Sequence, residues 1–74
     1  MKSKIQKLKE RKILVDNMLI DTVRYLKQLE IEVNSPDATN EDIWRYEETV
    51  KYIVNLTKEK KSIDNRIETI ESQI

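Results

Sequence analysis

The chain reads as an all-α antiparallel helical hairpin, coiled-coil-like and self-associating into a dimeric bundle. Three observations predict this. The 74 residues contain no glycine, and glycine supplies most tight turns, hairpin loops and phosphate-cradling loops. The single proline, Pro36, lies almost at the midpoint. On both sides of it apolar residues recur at helical spacing.

The first helix is expected over residues 4–33. Ile5, Leu8, Val15, Leu19, Leu26, Leu29 and Val33 keep a three–four rhythm, and Lys12 and Thr22 fill its two polar positions. That is a coiled-coil seam. Leu14, Met18 and Tyr25 widen it on one side, whereas Ile13, Ile20 and Val23 lie roughly opposite. One partner helix cannot cover both faces, and such leftover apolar surface marks an interface.

The turn is expected over residues 34–39, where Asn34-Ser35-Pro36-Asp37-Ala38-Thr39 is the one polar break. Asn34 can take the left-handed conformation that ends a helix when glycine is unavailable. Pro36 disfavours a helical Ser35 and removes a backbone donor. Two start signals follow: Ser35 before Pro36, and Thr39 with Asp42 three residues on, a capping box with Asp in place of Glu or Gln. The second fits better and starts the second helix near Asn40, after a helical turn at residues 36–38.

The second helix is expected over residues 40–72. Ile43, Tyr46, Val50 and Ile53 form the first half of its stripe, and Leu56, Ile63, Ile67, Ile70 and Ile74 the second. The short step from Ile53 to Leu56 reads as a stammer, which overwinds a seam locally. Trp44, Tyr52 and Val54 stand off the stripe. Folding about the break pairs residues whose numbers sum to about 73, which brings Lys12 and Lys60 to one level. A chain of 74 residues forms one domain with a thin core. Self-association through Ile13, Ile20, Val23, Tyr52 and Val54 is the expected supplement.

Composition narrows the function. There is no cysteine and no histidine, so disulfides, thiolate metal sites, histidine ligands and the usual neutral-pH general base are all missing. The serines, Ser3, Ser35, Ser62 and Ser72, have cap, turn or solvent roles available. An enzyme is not expected, nor a cofactor or a metal. No apolar run approaches the roughly 20 residues of a membrane span, and no continuous apolar core of a signal peptide is present. A cytoplasmic protein is expected, without a membrane partner.

Acidic and basic residues balance at 14 each, but not locally. Residues 1–12 and 58–74 together carry +5 and residues 13–57 carry −5. Folded as a hairpin, this is a dipolar rod. Its closed end gathers Glu30, Glu32, Asp37, Glu41, Asp42, Glu47 and Glu48 against Arg45 alone. Some of these serve the second helix's macrodipole. As a cluster they can also occupy a basic surface by imitating phosphates, supported by Trp44 and Tyr46. Tryptophan and arginine favour binding hot spots, although a lone tryptophan on an amphipathic helix is more often core or part of a self-association face. At the open end, Lys2, Lys4, Lys7, Lys9 and Lys12 spread around the helix without interleaved aromatics. Pairing with Glu68 and Glu71 accounts for them better than nucleic acid does.

In length and character the chain resembles the small proteins that bacteriophages of Gram-positive hosts make to disable host machinery. More narrowly, it is similar to the staphylococcal-phage inhibitors of the bacterial DNA sliding clamp. The carrying features span the whole chain: short, all-helical, lysine- and isoleucine-rich, cysteine-free, with a carboxylate cluster. Clamp-binding peptides resemble Gln-Leu-x-Leu-Phe. Gln28-Leu29-Glu30-Ile31 matches the start, but Glu32 stands where the aromatic belongs, and such peptides bind extended whereas this stretch reads as helix. The resemblance implies a protein partner in the host cytoplasm, an inhibited DNA replication machinery, and contact through the acidic tip. The alternatives are a dimeric nucleic-acid-binding hairpin using the basic open end, and a structural coiled coil or virion assembly protein.

Overall fold

A computed structural model describes residues 2–73, so Ile74, the expected end of the second stripe, lies outside it. Helix α1 spans Lys4–Val33 and helix α2 spans Asn40–Ser72. They pack against each other as an antiparallel hairpin. The molecule measures 57 × 18 × 14 Å, a rod whose length follows from helices of about 45–50 Å at 1.5 Å per residue.

Both helices start on capping boxes, which satisfy backbone N–H groups that have no carbonyl in the preceding turn. In α1 the Ser3 hydroxyl accepts from the Gln6 N–H at 3.2 Å, and the Gln6 side chain accepts from the Ser3 N–H at 3.4 Å. In α2 the Asp42 N–H donates to the Thr39 hydroxyl at 3.2 Å, and the Thr39 N–H donates to the Asp42 carboxylate at 2.9 Å. The lysine-rich start of α1 carries no acidic residue in its first turn, so Ser3 and Gln6 supply by hydrogen bonding what the macrodipole there does not.

The turn departs from expectation at Asn34. Its φ of −83° is right-handed, and no described residue has positive φ. The helix ends instead by tightening. The Asn34 N–H donates to the Glu30 carbonyl at 3.2 Å, the Ser35 N–H to the Glu32 carbonyl at 3.2 Å, and the Ala38 N–H to the Ser35 carbonyl at 3.1 Å. The Asp37 N–H donates to the Ser35 hydroxyl at 3.3 Å. Two three-residue closures, one before Pro36 and one spanning it, reverse the chain without a left-handed residue, and Pro36 has no N–H to place.

The seam of α1 lies where the sequence places it, with Val15 and Leu29 fully buried and the rest of the three–four series half-buried. In α2 the expected stammer is absent. Thr49 is buried, while Ile43 and Val50 are 42% and 36% exposed. Asp42, Tyr46, Thr49, Ile53, Leu56, Lys60, Ile63, Ile67 and Ile70 form one unbroken three–four series, all buried or half-buried. Threonine takes the seam because its hydroxyl is already satisfied: Thr49 Oγ1 donates to the Arg45 carbonyl at 2.8 Å. Thr22 does the same to Met18 at 2.6 Å. Each hydroxyl is thus spent within its own helix and demands no partner across the seam.

Val15, Leu56 and Ile63 form the core, with Leu8, Met18, Leu19 and Ile67 packed on it. The polar seam positions Lys12 and Lys60 do not face one another as a repulsive pair. Lys12 reaches Asp64 at 2.7 Å, and Lys60 reaches Asp16 at 2.8 Å. Both pairs sum to 76, a few residues from the expected 73. The two arms contain the same Lys-x-x-x-Asp spacing, Lys12–Asp16 and Lys60–Asp64. Run antiparallel, each lysine meets the other arm's aspartate. This reciprocal clasp specifies register in the way charged positions do in coiled coils.

Candidate functional site

Steps of seven residues run along one edge of a coiled-coil helix, and two ion pairs show which edges adjoin. Lys9 contacts Glu71 at 3.9 Å, which ties the edge Lys9–Asp16–Val23–Glu30 to the edge Ile43–Val50–Thr57–Asp64–Glu71. Arg11 contacts Glu59 at 2.6 Å, which ties Arg11–Met18–Tyr25–Glu32 to Arg45–Tyr52–Glu59–Arg66. The hairpin therefore has two distinct sides.

The apolar surface divides between them. On the first side Val23 and Val50 are flanked by Ile13, Ile20 and Val54, all exposed, so four of the five expected self-association residues share one strip. Tyr52 lies on the second side with Tyr25. Sequence reasoning missed Val50 as surface because the stammered stripe placed it in the core.

The acidic cluster also divides. The Asp42 carboxylate caps α2, and the hydrogen bonds from the Thr39 backbone and then its hydroxyl hold its acid below the ordinary 3.8. Glu41 pairs with Arg45 at 3.0 Å and Glu48 with Lys51 at 3.1 Å. Among the described residues, Glu30, Glu32, Asp37 and Glu47 enter no ion pair. Glu32, Asp37 and Asp42 rim a shallow hollow with Arg45 at the turn, while Glu30 and Glu47 belong to the other side. No group of three or more carboxylates among the described residues is placed to hold a metal ion.

Trp44 is 61% exposed, so it does not belong to the core. It sits on the outer face of α2. Ile31, 68% exposed, sits on the outer face of α1 at the same level, since the two numbers sum to 75, close to the clasp. Tyr46 is half-buried in the seam and orients α2 more than it offers surface. Gln28 to Ile31 are helical, and of the short clamp-peptide match only Leu29, 1% exposed, is buried in the core.

Of the five lysines near the N-terminus three are engaged, whereas Lys4, Lys7 and the expected partner Glu68 enter no ion pair among the described residues. Lys2 pairs with Glu10 at 2.8 Å, Lys9 with Glu71, Arg11 with Glu59, and Lys12 with Asp64. Asp64 holds the Lys12 ammonium above the ordinary 10.5, by hydrogen bonding first and charge attraction second. Asp16 Oδ1 meets Lys60 at 2.8 Å but takes no hydrogen bond of good geometry, so that contact is chiefly electrostatic. A second hollow lies here, lined by Lys4 and by Lys58, Lys61 and Arg66 of α2. The signal was present in the sequence: Lys58 and Arg66 have no carboxylate three or four places away, so neither has a helical partner.

No described helix is long and apolar enough to cross a membrane. In comparisons with known proteins, no family model, curated protein or solved structure matches this chain to a significant degree.

Proposed function

We propose that the chain is a non-enzymatic protein-binding hairpin whose closed end docks on a basic protein surface. The observation that carries this reading is the pairing of two outward apolar side chains, Ile31 and Trp44, with carboxylates that enter no ion pair among the described residues. Exposed apolar groups supply affinity at an interface, and unpaired charges around them supply steering and orientation. In its narrower form, the hairpin is a phage-encoded inhibitor of host DNA replication. It acts in the host cytoplasm and occludes a DNA-binding surface such as the channel of the sliding clamp. The strip of Ile13, Ile20, Val23, Val50 and Val54 supports a homodimer, which would leave both closed ends free.

Surface-plasmon binding to purified bacterial sliding clamp tests the narrow form. The quadruple neutralisation E30Q/E32Q/D37N/E47Q should weaken capture at least tenfold with helicity unchanged. Capture that ignores the neutralisation rejects phosphate mimicry, and no capture of the clamp by the wild type rejects that target. Sedimentation equilibrium of I20E/V54E against wild type tests the dimer; an unchanged mass would remove it.

A further inference from the structure

The balance of charge at the open end is not used up internally. Glu10, Glu59, Asp64 and Glu71 are occupied by Lys2, Arg11, Lys12 and Lys9 respectively, and Lys60 is held by Asp16. Glu68, the remaining acid of this end, does not line the second hollow. Lys4, Lys58, Lys61 and Arg66 enter no ion pair among the described residues, and all four are exposed. They line a single hollow. Ser62, Asn65 and Thr69 lie between the cations in the same hollow. Lys58 to Arg66 covers about 12 Å of helix at 1.5 Å per residue, enough to follow several phosphates of one strand.

From this arrangement we infer that the open end binds double-stranded nucleic acid through its phosphate backbone. Four uncompensated cations supply the electrostatic attraction, and the hydroxyl and amide groups supply the neutral hydrogen bonds that position a backbone. Single strands fit less well, because their binders stack bases on aromatic rings, and Tyr25, Trp44, Tyr46 and Tyr52 all lie outside the hollow. An anionic membrane fits less well too. A membrane-surface helix sets its basic face beside a broad apolar one, and the only large apolar residue lining this hollow is Ile70. Apart from Lys4 the site lies on α2, and most of the other cations at the start of α1 are already paired.

Fluorescence anisotropy with 20-base-pair RNA and DNA duplexes of unrelated sequence tests the inference on the full chain. Binding should fall about 100-fold between 50 and 200 mM salt, as four released counterions require. K58E/K61E should weaken binding at least tenfold. R24E/K27E makes the same change in net charge outside the hollow and should cost less than threefold. Circular dichroism confirms that both variants stay helical. Equal losses in the two variants would overturn the site, because net charge alone would then explain binding. Failure to bind either duplex at 50 mM salt would overturn it as well, including the case in which phosphatidylserine vesicles bind instead.

Discussion

Near the chain ends the two arms are joined by four ion pairs, Lys9–Glu71, Arg11–Glu59, Lys12–Asp64 and Asp16–Lys60, around the Val15–Leu56–Ile63 core. Near the turn, no ion pair among the described residues crosses between arms. The pairs there, Glu41–Arg45 and Glu48–Lys51, are local to α2, and Leu29 is the one fully buried side chain. The difference follows from connectivity. The turn already holds its two helix ends together, so little else is needed to keep them close. The free ends have no such tether and would splay without their own packing and register marks. One consequence is functional: the tethered end can leave carboxylates and apolar groups facing outward, while the locked end presents a stiff surface.

The largest way to break this contrast is to empty the core of the locked half. Leu56→Ala should cost about 2–5 kcal/mol, the range for a buried leucine that leaves a cavity. Urea unfolding followed by helicity measures it. Ile43→Ala, at a position outside the seam, should cost under about 1 kcal/mol. Comparable losses at the two positions would restore the stammered register and refute the continuous one through Thr49.

Thr39→Ala comes next, at about 1 kcal/mol for a lost N-cap. It also carries a pH signature. Asp42's folded acid constant is depressed below 3.8, so its contribution is present above that value and is lost as pH falls through the lower, folded one. Thr39→Ala removes the hydroxyl that helps hold the carboxylate ionised, and should flatten the acid limb of the stability profile. Lys12 behaves oppositely. Its constant is raised above 10.5, so its contribution is complete below 10.5 and disappears as pH rises through the folded value. Asp64→Asn should remove most of that alkaline limb, leaving the smaller contribution of Asp16. At Asp42 the Thr39 backbone N–H, the larger cause, survives Thr39→Ala, so Asp42→Asn completes the test: an acid limb identical to that of the wild type would remove the capping box as its cause.

At the locked end, exchanging Arg11 and Glu59 tests register marking by a single exposed pair. Each reversal alone should destabilise, and the double exchange should recover most of the loss, with a coupling of about 0.2–1 kcal/mol as exposed pairs give. No coupling in the double-mutant cycle would mean that the clasp and the core alone set register. Thr49→Val is smaller still and of opposite sign. The hydroxyl contributes nothing across the seam, so an isosteric apolar group should be neutral or stabilise by about 0.5 kcal/mol.

Much of the fold was legible because helical periodicity and turn chemistry act locally. The series from Ile5 to Val33 is regular, and Thr39 with Asp42 is a start signal that geometry can hardly satisfy in another way. What misled was treating hydrophobicity as the sole credential for a seam position. Val50 is more apolar than Thr49, yet the heptad continues through Thr49, and a back-bonded hydroxyl removes the objection to burying it. Asn34 was misread for a similar reason: a left-handed cap is one solution to a helix end, and Pro36 allowed a tighter one. The candidate sites were less legible, because charge patches depend on which cations are consumed. Only the folded pairing shows that Lys9 and Lys12 are engaged across the arms, whereas the lack of a helical partner for Lys58 and Arg66 could be read from spacing alone. The reciprocal Lys-x-x-x-Asp spacing was readable in principle, but its meaning needs the antiparallel alignment of both copies.

The smallest expected change in stability falls at Trp44, and it sharpens the contrast between the two ends most directly. An indole 61% exposed has little burial to lose, so Trp44→Ala should shift stability by no more than about 0.5 kcal/mol, as surface positions do. As the one tryptophan of the chain, it reports its own environment. Its fluorescence maximum in the folded protein should already lie near that of a solvated indole and should move little on unfolding in urea. Binding a partner through the closed end should shift it to the blue, whereas duplex nucleic acid at the open end, most of a rod's length away, should leave it unchanged. A blue-shifted indole in the free protein would mean that a second copy covers the tip, and the closed end would then be an assembly surface, not a free one.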